Sequence, residues 1–529
     1  MLDRNLVLPH LLAHRAEERG DKTFIDVVGG GSVTYAEFHE ESLRWANALL
    51  ALGAAPGSQV AAMLPVGLDG LLAWISISWM GARTVPISIA HRGRVLHHVL
   101  ANSAATHLVI SQRYVDRLGE LTGELPDLTT VIVCDSDEPE CALPVRVVGR
   151  DEFLRGIEPS ALPGPDYRDV AGIFYTSGTT GASKGVLVPW AQLHATASCY
   201  LDGLDESDAW YSPLPQSHIS GTAPMYTMAL VGGRLVLREV FSTTEFLDEV
   251  TKYGCTAAIV MGAMPQFLMS QPPTPHDADS PLRHAAVNPI PPTIDDFKTR
   301  FGVRVFTGYN MTEMSAPITS PGWTVTGEKY SSCGRVRPGY QVRIVDEHDE
   351  EVPPGTVGEL IVRADEPWVM NVGYFNMPEA TADAWRHGWF HTGDALMCDD
   401  DGDFYFVDRL KDTIRRRGEN ISSTEVEIEV GAFPAVAECA AVAVPSEWGE
   451  DEVKVFVIAK PDTNLDPVEL IEFLRPRMAH FMIPRFVEIV DELPRTNTFK
   501  VMKHALRARG NSDATWDREA AGIVVKREA

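Results

Sequence analysis

The stretch TYAEFHEESLRWANALLALG at residues 34–53, followed by QVAAML at 59–64, decides the predicted fold. Thr34 and Glu37 have the spacing of a capping box, and Gly53 is typical of a helix end, so the first segment is predicted to be a helix. The apolar run that follows is predicted to be a buried strand. Helix and strand patterns alternate in this way through the first half of the chain. Such alternation predicts an α/β fold with largely parallel sheets.

The composition excludes several classes of protein. The chain has 529 residues, with 46 Lys+Arg against 73 Asp+Glu, so its formal net charge is −27. A nucleic-acid-binding protein needs a basic surface, and a polybasic membrane anchor needs clustered cations, so neither is expected. The most apolar window, 71–90, is interrupted by Gly81, Arg83 and Pro86, which argues against a membrane span. Seven dispersed cysteines without a C-x-x-C pair indicate reduced thiols, and the predicted location is the cytoplasm.

The second half of the chain has a different texture. Short strands with polar turns at 333–363 predict a distorted barrel or sheet attached to the α/β body. An Arg-rich stretch at 408–420 then precedes a block of domain size with a mixed pattern. Its predicted elements are strands at 436–444 and 453–458 and a helix at 467–478. The predicted organisation is a large N-terminal domain at 1–410 and a small α+β C-terminal domain at 411–529.

The most informative segment for function is YTSGTTGASKGV at residues 175–186. Its glycines let backbone N–H groups approach an anion, its hydroxyl side chains add donors, and Lys184 adds a cation. A Walker A loop needs Gly before the lysine and Ser or Thr after it, whereas this chain has Ser183 and Gly185. The segment therefore predicts a phosphate-binding loop outside the P-loop class. The alternative, a solvated Ser/Thr/Gly surface loop, is disfavoured by the length of the pattern.

With this loop, the sequence resembles the acyl-adenylate-forming superfamily, which contains acyl-CoA synthetases, nonribosomal peptide adenylation domains and luciferases. The resemblance extends from about residue 8 to about residue 506. It recurs in order at five further motifs, which lie at 85–93, 308–313, 389–394, 408–421 and 493–500. Segments at 271–283 and 417–422 are most similar to crotonobetaine/carnitine-CoA ligases and related bacterial acyl-CoA ligases.

The resemblance implies a binding site for ATP and Mg²⁺. Glu313 would be the magnesium ligand, Asp394 would accept both ribose hydroxyls, and Arg409 would donate to the ribose or a phosphate. Tyr309 would lie against the adenine, and Thr312 would bind the α-phosphate. The implied nucleotide-binding residues in the two N-terminal motifs are Thr176, Ser177, Gly178, Thr179, Thr180, Gly181, Lys184, Gly308, Tyr309, Asn310, Met311 and Thr312.

The implied catalytic residues are Lys500, Thr180, Glu313 and His218. The Lys500 ammonium would bridge the substrate carboxylate and the α-phosphate, and the resemblance implies that the C-terminal domain is mobile and rotates between two half-reactions. Phe499 replaces the usual glycine before the lysine and stiffens that loop. The residues that would serve the rotation and the entry of CoA are Lys411 at the hinge and Gly418, Glu419 and Asn420 after it.

The resemblance leaves the substrates partly open. His218 would line the acyl pocket, although a buried structural histidine is an equally reasonable interpretation. The segment 286–291 and Asn310 depart from the family pattern, so the carboxylic acid is not specified. The predicted function is an ATP-dependent carboxylate–CoA ligase. A carrier-protein thiol, an amine or another small nucleophile as acceptor is the first alternative, and a non-catalytic nucleotide sensor is the second. A homodimer is left open.

Overall fold

The structure, a computed structural model, describes most of the chain and divides it into two compact units. The described residues are 3–121, 124–176, 183–262, 264–410, 412, 414–416, 419–445, 451–496, 500–523 and 525. The first unit is Met1–Val342 with Val362–Phe390, and the second is Arg343–Ile361 with His391–Ala529. The boundary expected between residues 410 and 411 stays a prediction.

Two largely parallel sheets form the body of the first unit. Their strands are β1 Thr23–Val27, β2 Ser32–Thr34, β3 Gln59–Met63, β4 Arg83–Pro86, β5 His107–Ile110, β6 Thr130–Val133, β7 Arg146–Gly149, β8 Val170–Thr176, β9 Lys184–Pro189, β10 Ala209–Ser212, β11 Arg234–Leu237, β12 Ala257–Met261, β13 His284–Asn288 and β14 Arg304–Phe306. The strand orders are β14-β13-β12-β10-β11-β1-β2 and β7-β6-β5-β3-β4-β8-β9. Among the described strands of these sheets, only the edge pairs β1–β2 and β8–β9 are antiparallel. The predicted α/β fold with parallel sheets is confirmed.

Helices alternate with these strands. They are α1 Leu8–Arg19, α2 Tyr35–Ala51, α3 Leu68–Trp79, α4 Gly93–Ser103, α5 Asp116–Gly119, α6 Arg150–Leu154, α7 Trp190–Ala197, α8 Ile219–Val231, α9 Phe246–Lys252, α10 Met264–Ser270 and α11 Ile294–Phe301. The capping box before α2 is present: Glu37 N donates to Thr34 Oγ1 over 3.2 Å, and Thr34 N donates to Glu37 Oε2 over 2.8 Å. The sheets bury large aromatic side chains, including Trp45, Trp190 and Trp210.

Short strands, many of them antiparallel, follow in the second half of the chain. They are β15 Gly308–Met311, β16 Met314–Thr319, β17 Ser332–Val336, β18 Tyr340–Val345, β19 Gly358–Ala364, β20 Trp385–Arg386, β21 Trp389–Cys398, β22 Phe404–Arg409, β23 Ile414–Arg416, β24 Glu419–Ile421, β25 Val436–Pro445, β26 Asp451–Ala459, β27 Phe486–Ile489 and β28 Trp516–Asp517. The helices here are α12 Pro378–Ala384, α13 Ser423–Gly431, α14 Pro467–Leu474 and α15 Lys503–Arg509. Within the parts of the chain that the structure describes, no helix has the length and apolar character needed to cross a bilayer.

The end of the chain forms a small mixed domain within the second unit. Its sheet has the order β25-β26-β27-β28, and β26 pairs antiparallel with β25 and parallel with β27. The predicted helix at 467–478 is shorter than expected, since α14 ends at Leu474. Arg475 keeps helical dihedral angles, but Pro476 lacks the backbone N–H that would donate the next helical hydrogen bond, which accounts for the earlier end.

Candidate active site

The predicted phosphate loop connects two paired antiparallel strands at the edge of a sheet. Strand β8 ends at Thr176 and β9 begins at Lys184, and these two residues are register partners. Ser183 Oγ donates a hydrogen bond to the Thr176 carbonyl and so joins the two ends of the loop. The remaining predicted phosphate-binding residues, Ser177, Gly178, Thr179, Thr180 and Gly181, lie outside the described residues. The structure therefore describes the two borders of the loop, Thr176 and Ser183. It also shows that the predicted cation, Lys184, lies next to the second border.

Lys184 and Glu313 are brought together by a tyrosine that the sequence analysis did not identify. The Lys184 ammonium nitrogen lies 4.6 Å from the centroid of the Tyr374 ring. The Tyr374 hydroxyl donates to Glu313 Oε1 over 3.1 Å. Both Tyr374 and Glu313 are buried. Burial raises the pKa of the Tyr374 hydroxyl, and the adjacent Glu313 carboxylate raises it further, so the tyrosine remains a donor at neutral pH.

Backbone pairing with β9 positions Tyr374. The Leu187 amide donates to the Gly373 carbonyl over 3.0 Å, and the Phe375 amide donates to the Gly185 carbonyl over 2.7 Å. The segment around residue 374 is thus docked on the strand that begins with Lys184. The position of the tyrosine follows from this long-range pairing, which local sequence patterns do not encode.

Thr312 and Glu313 form the tip of the β15–β16 hairpin, where Met311 and Met314 are register partners. Asn371 fixes the tip, because its backbone amide and its Nδ2 both donate to the Glu313 carbonyl, over 2.9 and 2.6 Å. Gln192 Nε2 donates to the Thr312 carbonyl over 2.9 Å. These contacts hold the main chain of the hairpin tip, whereas the Glu313 carboxylate itself is oriented by Tyr374. The sequence analysis missed Asn371, Gln192 and Tyr374 as supports of this motif.

The motif at 308–313, called the adenine motif here because Tyr309 is predicted to lie against the adenine, begins along β15. Tyr309 is buried, and its hydroxyl donates to Met311 Sδ over 3.4 Å. Asn310 is exposed and Met311 is half-buried. Gly308 has Ile318 and Thr319 close to the position where a Cβ would lie, with the nearest atom at 3.0 Å, so this position has little room for a side chain.

A second group of predicted residues is assembled within the second unit. Asp394 on β21 and Arg409 on β22 are register partners, and Arg409 Nε lies 3.6 Å from Asp394 Oδ1. Asp394 is buried, and its backbone amide donates to Thr392 Oγ1 over 3.1 Å. Lys500 lies close enough for both charges to affect it: its pKa is lowered by burial of the ammonium and by Arg409, while Asp394 opposes the lowering. Lys500 as a whole residue is exposed, and the burial that lowers its pKa concerns the ammonium group at the end of the side chain.

The base of the Lys500 loop is closed by local hydrogen bonds. The Thr496 amide donates to the Lys500 carbonyl over 2.8 Å, and the Lys500 amide donates to Thr496 Oγ1 over 3.2 Å. Arg495 and Val501 form an antiparallel bridge on either side. Phe499, predicted to stiffen this loop, lies outside the described residues.

The predicted hinge is partly described. Lys411 and Gly418 lie outside the described residues, and Glu419 and Asn420 form β24 with their backbones. Two contacts flank Lys411: Asp408 Oδ2 accepts bonds from the Ser423 amide and hydroxyl over 2.6 Å, and Asp412 pairs with Arg507 of α15. The structure thus ties both sides of the predicted hinge to helices of the same unit.

His218 has a local structural role. It is the N-cap residue of α8, and its Nδ1 accepts from the Ser220 amide over 3.2 Å and contacts Ser220 Oγ at 2.5 Å. Ser220, rather than His218, is among the described residues that line a narrow cavity in the first unit. The acyl-pocket role predicted for His218 stays a prediction.

That cavity lies where β12 and β13 end. Its lining includes residues of both strands, namely Met261, Ala286, Val287 and Asn288, together with Gly308 and Asn310 of the adenine motif. Asn288 Nδ2 donates to the Gly308 carbonyl over 2.8 Å, which joins the two motifs. In parallel α/β sheets, ligands bind in the crevice at the carboxyl ends of strands. The segment at 286–291, which departs from the family pattern, thus contributes a wall of this cavity.

The sequence and the fold of this chain are those of an adenylate-forming enzyme. Residues 12–375 match the model of the AMP-binding enzyme family, and residues 425–500 match the model of the AMP-binding enzyme C-terminal domain. The chain therefore belongs to the AMP-binding enzyme family. The predicted superfamily, its acyl-CoA synthetase branch and the enzyme class of AMP-forming acid–thiol ligase are confirmed.

Similar proteins cover almost the whole chain. A crotonobetaine/carnitine–CoA ligase of Salmonella enteritidis PT4 is 31% identical over 483 residues, which are 90% of this chain and 93% of the relative. The fold is similar to that of O-succinylbenzoate coenzyme A synthetase from Bacillus subtilis in complex with AMP, with a TM-score of 0.81, 24% identity and coverage of 94% of this chain and 98% of that one. It is also similar to the anthranilate CoA ligase AuaEII in complex with anthranoyl-AMP, with a TM-score of 0.85, 22% identity and 99% coverage of both chains.

Proposed function

We propose that this chain is an ATP-dependent carboxylate–CoA ligase. The substrate carboxylate attacks the α-phosphate of ATP, which gives an acyl-adenylate and pyrophosphate. The thiol of CoA then attacks the acyl carbon, and AMP leaves. The observation that carries the proposal is the buried Glu313 carboxylate held by Tyr374 beside Lys184. The 31% identity to a crotonobetaine/carnitine–CoA ligase over 90% of the chain supports CoA as the acceptor.

Glu313 fits a magnesium ligand. Its carboxylate oxygens are the kind of hard ligand that Mg²⁺ takes in proteins, and one of them accepts the hydrogen bond from Tyr374. When bound there, Mg²⁺ would supply positive charge that neutralises the phosphates of ATP. Tyr374 keeps the carboxylate in one orientation, and Asn371 and Gln192 hold the main chain beneath it. Lys184 adds a positive charge over the face of the tyrosine ring.

Replacing Tyr374 with phenylalanine is expected to weaken magnesium binding without preventing folding. The change removes the hydrogen bond to Glu313 but keeps the ring, and the loss of a group that orients a metal ligand typically costs 10–100-fold in affinity. We expect the Mg²⁺ concentration that half-saturates pyrophosphate release to rise about 10-fold. Tyr226→Phe is the matched control, because its hydroxyl donates to the Leu6 carbonyl away from the site. An unchanged magnesium titration for Tyr374→Phe would contradict this role.

In this proposal the second unit supplies the groups that bind ribose and stabilise charge. The two oxygens of the Asp394 carboxylate would accept both ribose hydroxyls, and Arg409 would donate to the ribose or a phosphate. The Lys500 ammonium would donate to the substrate carboxylate and to the α-phosphate, where charge develops in the transition state. The proximity of these three residues within the unit supports assigning them to one task.

The test of the function is pyrophosphate release across a panel of carboxylic acids, measured with and without CoA. We expect release that depends on acid, ATP and Mg²⁺, and acyl-CoA formation when CoA is present. An acyl-adenylate that persists in the presence of CoA would favour a carrier-protein thiol, an amine or another small nucleophile as acceptor. Nucleotide binding with no pyrophosphate release from any acid would favour the non-catalytic sensor.

The cellular setting of the reaction is part of the proposal. All seven cysteines are free thiols, and several are buried or half-buried, which supports a reducing compartment such as the cytoplasm. A homodimer stays a prediction. Sedimentation tests it, because one chain has a mass of 58.1 kDa.

A further inference from the structure

We infer that the carboxylic acid used by this chain is compact and carries no charge apart from its carboxylate. The inference rests on the proposed function and concerns the narrow cavity at the carboxyl ends of β12 and β13. Gly308 and Asn310 line this cavity and also belong to the predicted adenine motif. An acid joined to AMP at that motif would therefore place the rest of its structure in the cavity.

The cavity wall offers no partner for a charged group. Among the twelve lining residues in the described part of the chain there is no Asp, Glu, Lys, Arg or His. An ion moved from water into such a place loses its hydration without a compensating charge. A second carboxylate or a quaternary ammonium group on the substrate would therefore be disfavoured.

Two polar groups of the wall have partners within the protein. Asn288 Nδ2 donates to the Gly308 carbonyl, and Ser220 Oγ contacts Nδ1 of His218. His218 is a titratable residue that does not line the cavity but contacts Ser220, which does. Its Nδ1 accepts a hydrogen bond from the Ser220 amide at the start of α8. These groups suit an uncharged substrate better than an ionic one.

Aromatic side chains form part of the cavity wall. Tyr200 and Phe306 line the cavity, and their ring centroids are 4.8 Å apart. Tyr200 also packs against Trp210 at 5.3 Å, and Phe306 packs against Trp323 at 5.6 Å. Rings packed against one another in this way form an apolar wall with little freedom to move.

The cavity is small and its walls are stiff. Its volume is about 20 Å³, which leaves room for a small group only. Ile259 and Ala286 belong to paired strands, and the aromatic cluster supports the other side. Met261 is the flexible side chain in the wall, since a thioether adapts its shape easily. We therefore expect short acids to be preferred over long ones.

The test compares pyrophosphate release from acids that differ in length or in one charge. The length series is acetate, propionate, butyrate, hexanoate and octanoate. The charge pairs are succinate against 4-oxopentanoate, and trimethylammonioacetate against 3,3-dimethylbutanoate. We expect the highest kcat/KM among the shorter acids of the length series, and at least a 10-fold preference for the neutral member of each pair.

Met261→Ala tests whether the Met261 side chain limits the length of acid that the cavity accepts. It should raise the ratio of hexanoate to propionate kcat/KM about 10-fold, because it lengthens the cavity. Met228→Ala is the matched control, since Met228 is a buried methionine of α8 that does not line the cavity. A preference for octanoate or for the charged member of a pair would overturn the inference while pyrophosphate release upholds the proposed function. So would an equal shift in both methionine variants. No pyrophosphate with any acid overturns the proposed function, and the inference with it.

Discussion

Replacing Lys500 with alanine is expected to lower acid-dependent pyrophosphate release by about 10²–10³-fold. The Lys500 ammonium is proposed to donate to the α-phosphate and to the substrate carboxylate. The variant therefore lacks one donor that stabilises the charge developing in the transition state, and a loss of this size is typical of removing such a donor. Thioester formation from a supplied acyl-adenylate should continue at nearly the wild-type rate. In that compound the α-phosphate of ATP is already joined to the acid, so the step proposed to need Lys500 is complete. The measurement is pyrophosphate release for the first half-reaction and single-turnover acyl-CoA formation for the second.

The pH profile gives a second reading of the same residue. Burial and Arg409 hold the pKa of Lys500 below its ordinary value of 10.5. Since the protonated form is the proposed donor, adenylation should fall as the pH rises through this lowered pKa. That fall comes at a lower pH than it would for an unperturbed lysine. Thioester formation from a supplied acyl-adenylate should lack this alkaline limb, and the residual adenylation of Lys500→Ala should lack it as well.

Lys460→Ala is the control for Lys500→Ala, because Lys460 is an exposed lysine of the same unit. It should leave both half-reactions unchanged. Equal pyrophosphate release from Lys500→Ala and the native protein would remove Lys500 from the mechanism. A parallel loss of both half-reactions would indicate a structural role for the lysine.

Local signals in the sequence were sufficient for much of the fold. The capping box of Thr34 and Glu37 acts over three residues, so the start of α2 could be read from neighbouring positions. The strands before residue 260 are short apolar runs bounded by polar turns, and they form the predicted parallel sheets. The end of α14 was predicted four residues too late. The missing N–H of Pro476, which interrupts the helical hydrogen bonds, outweighed the apolar pattern.

The supports of the candidate site could not be predicted in the same way. Glu313 was identified from its motif, but Tyr374 lies 61 residues away in sequence and reaches it through the docking of residues 372–375 on β9. Asn371 likewise acts on the Glu313 main chain from a distant segment. Such contacts depend on tertiary pairing, which single-sequence periodicity does not contain. His218 shows the reverse case, because its capping of α8 is a local contact that the family resemblance did not suggest.

Glu313→Gln is expected to lower pyrophosphate release by about 10²-fold and to raise the Mg²⁺ concentration needed for half-saturation. Glutamine keeps the size of the side chain and an oxygen that can accept from Tyr374. The hydrogen bonds of Asn371 are made to the main chain and are unaffected. The change therefore removes the negative charge with little disturbance of the hairpin. Magnesium titrations of pyrophosphate release measure the effect, and Glu138→Gln, at an exposed glutamate of the same unit, is the control.

The double variant Glu313→Gln/Tyr374→Phe separates orientation of the carboxylate from other effects of the tyrosine. If Tyr374 acts on magnesium only through Glu313, the second substitution should add almost nothing to the first, because residues in direct contact are not additive. Losses that multiply would mean that Tyr374 acts through another group, for which the Lys184 ammonium 4.6 Å from its ring is the candidate. A magnesium titration of Glu313→Gln that matches the native protein would exclude Glu313 as the ligand. The ion would then have to be held by phosphate oxygens and other residues.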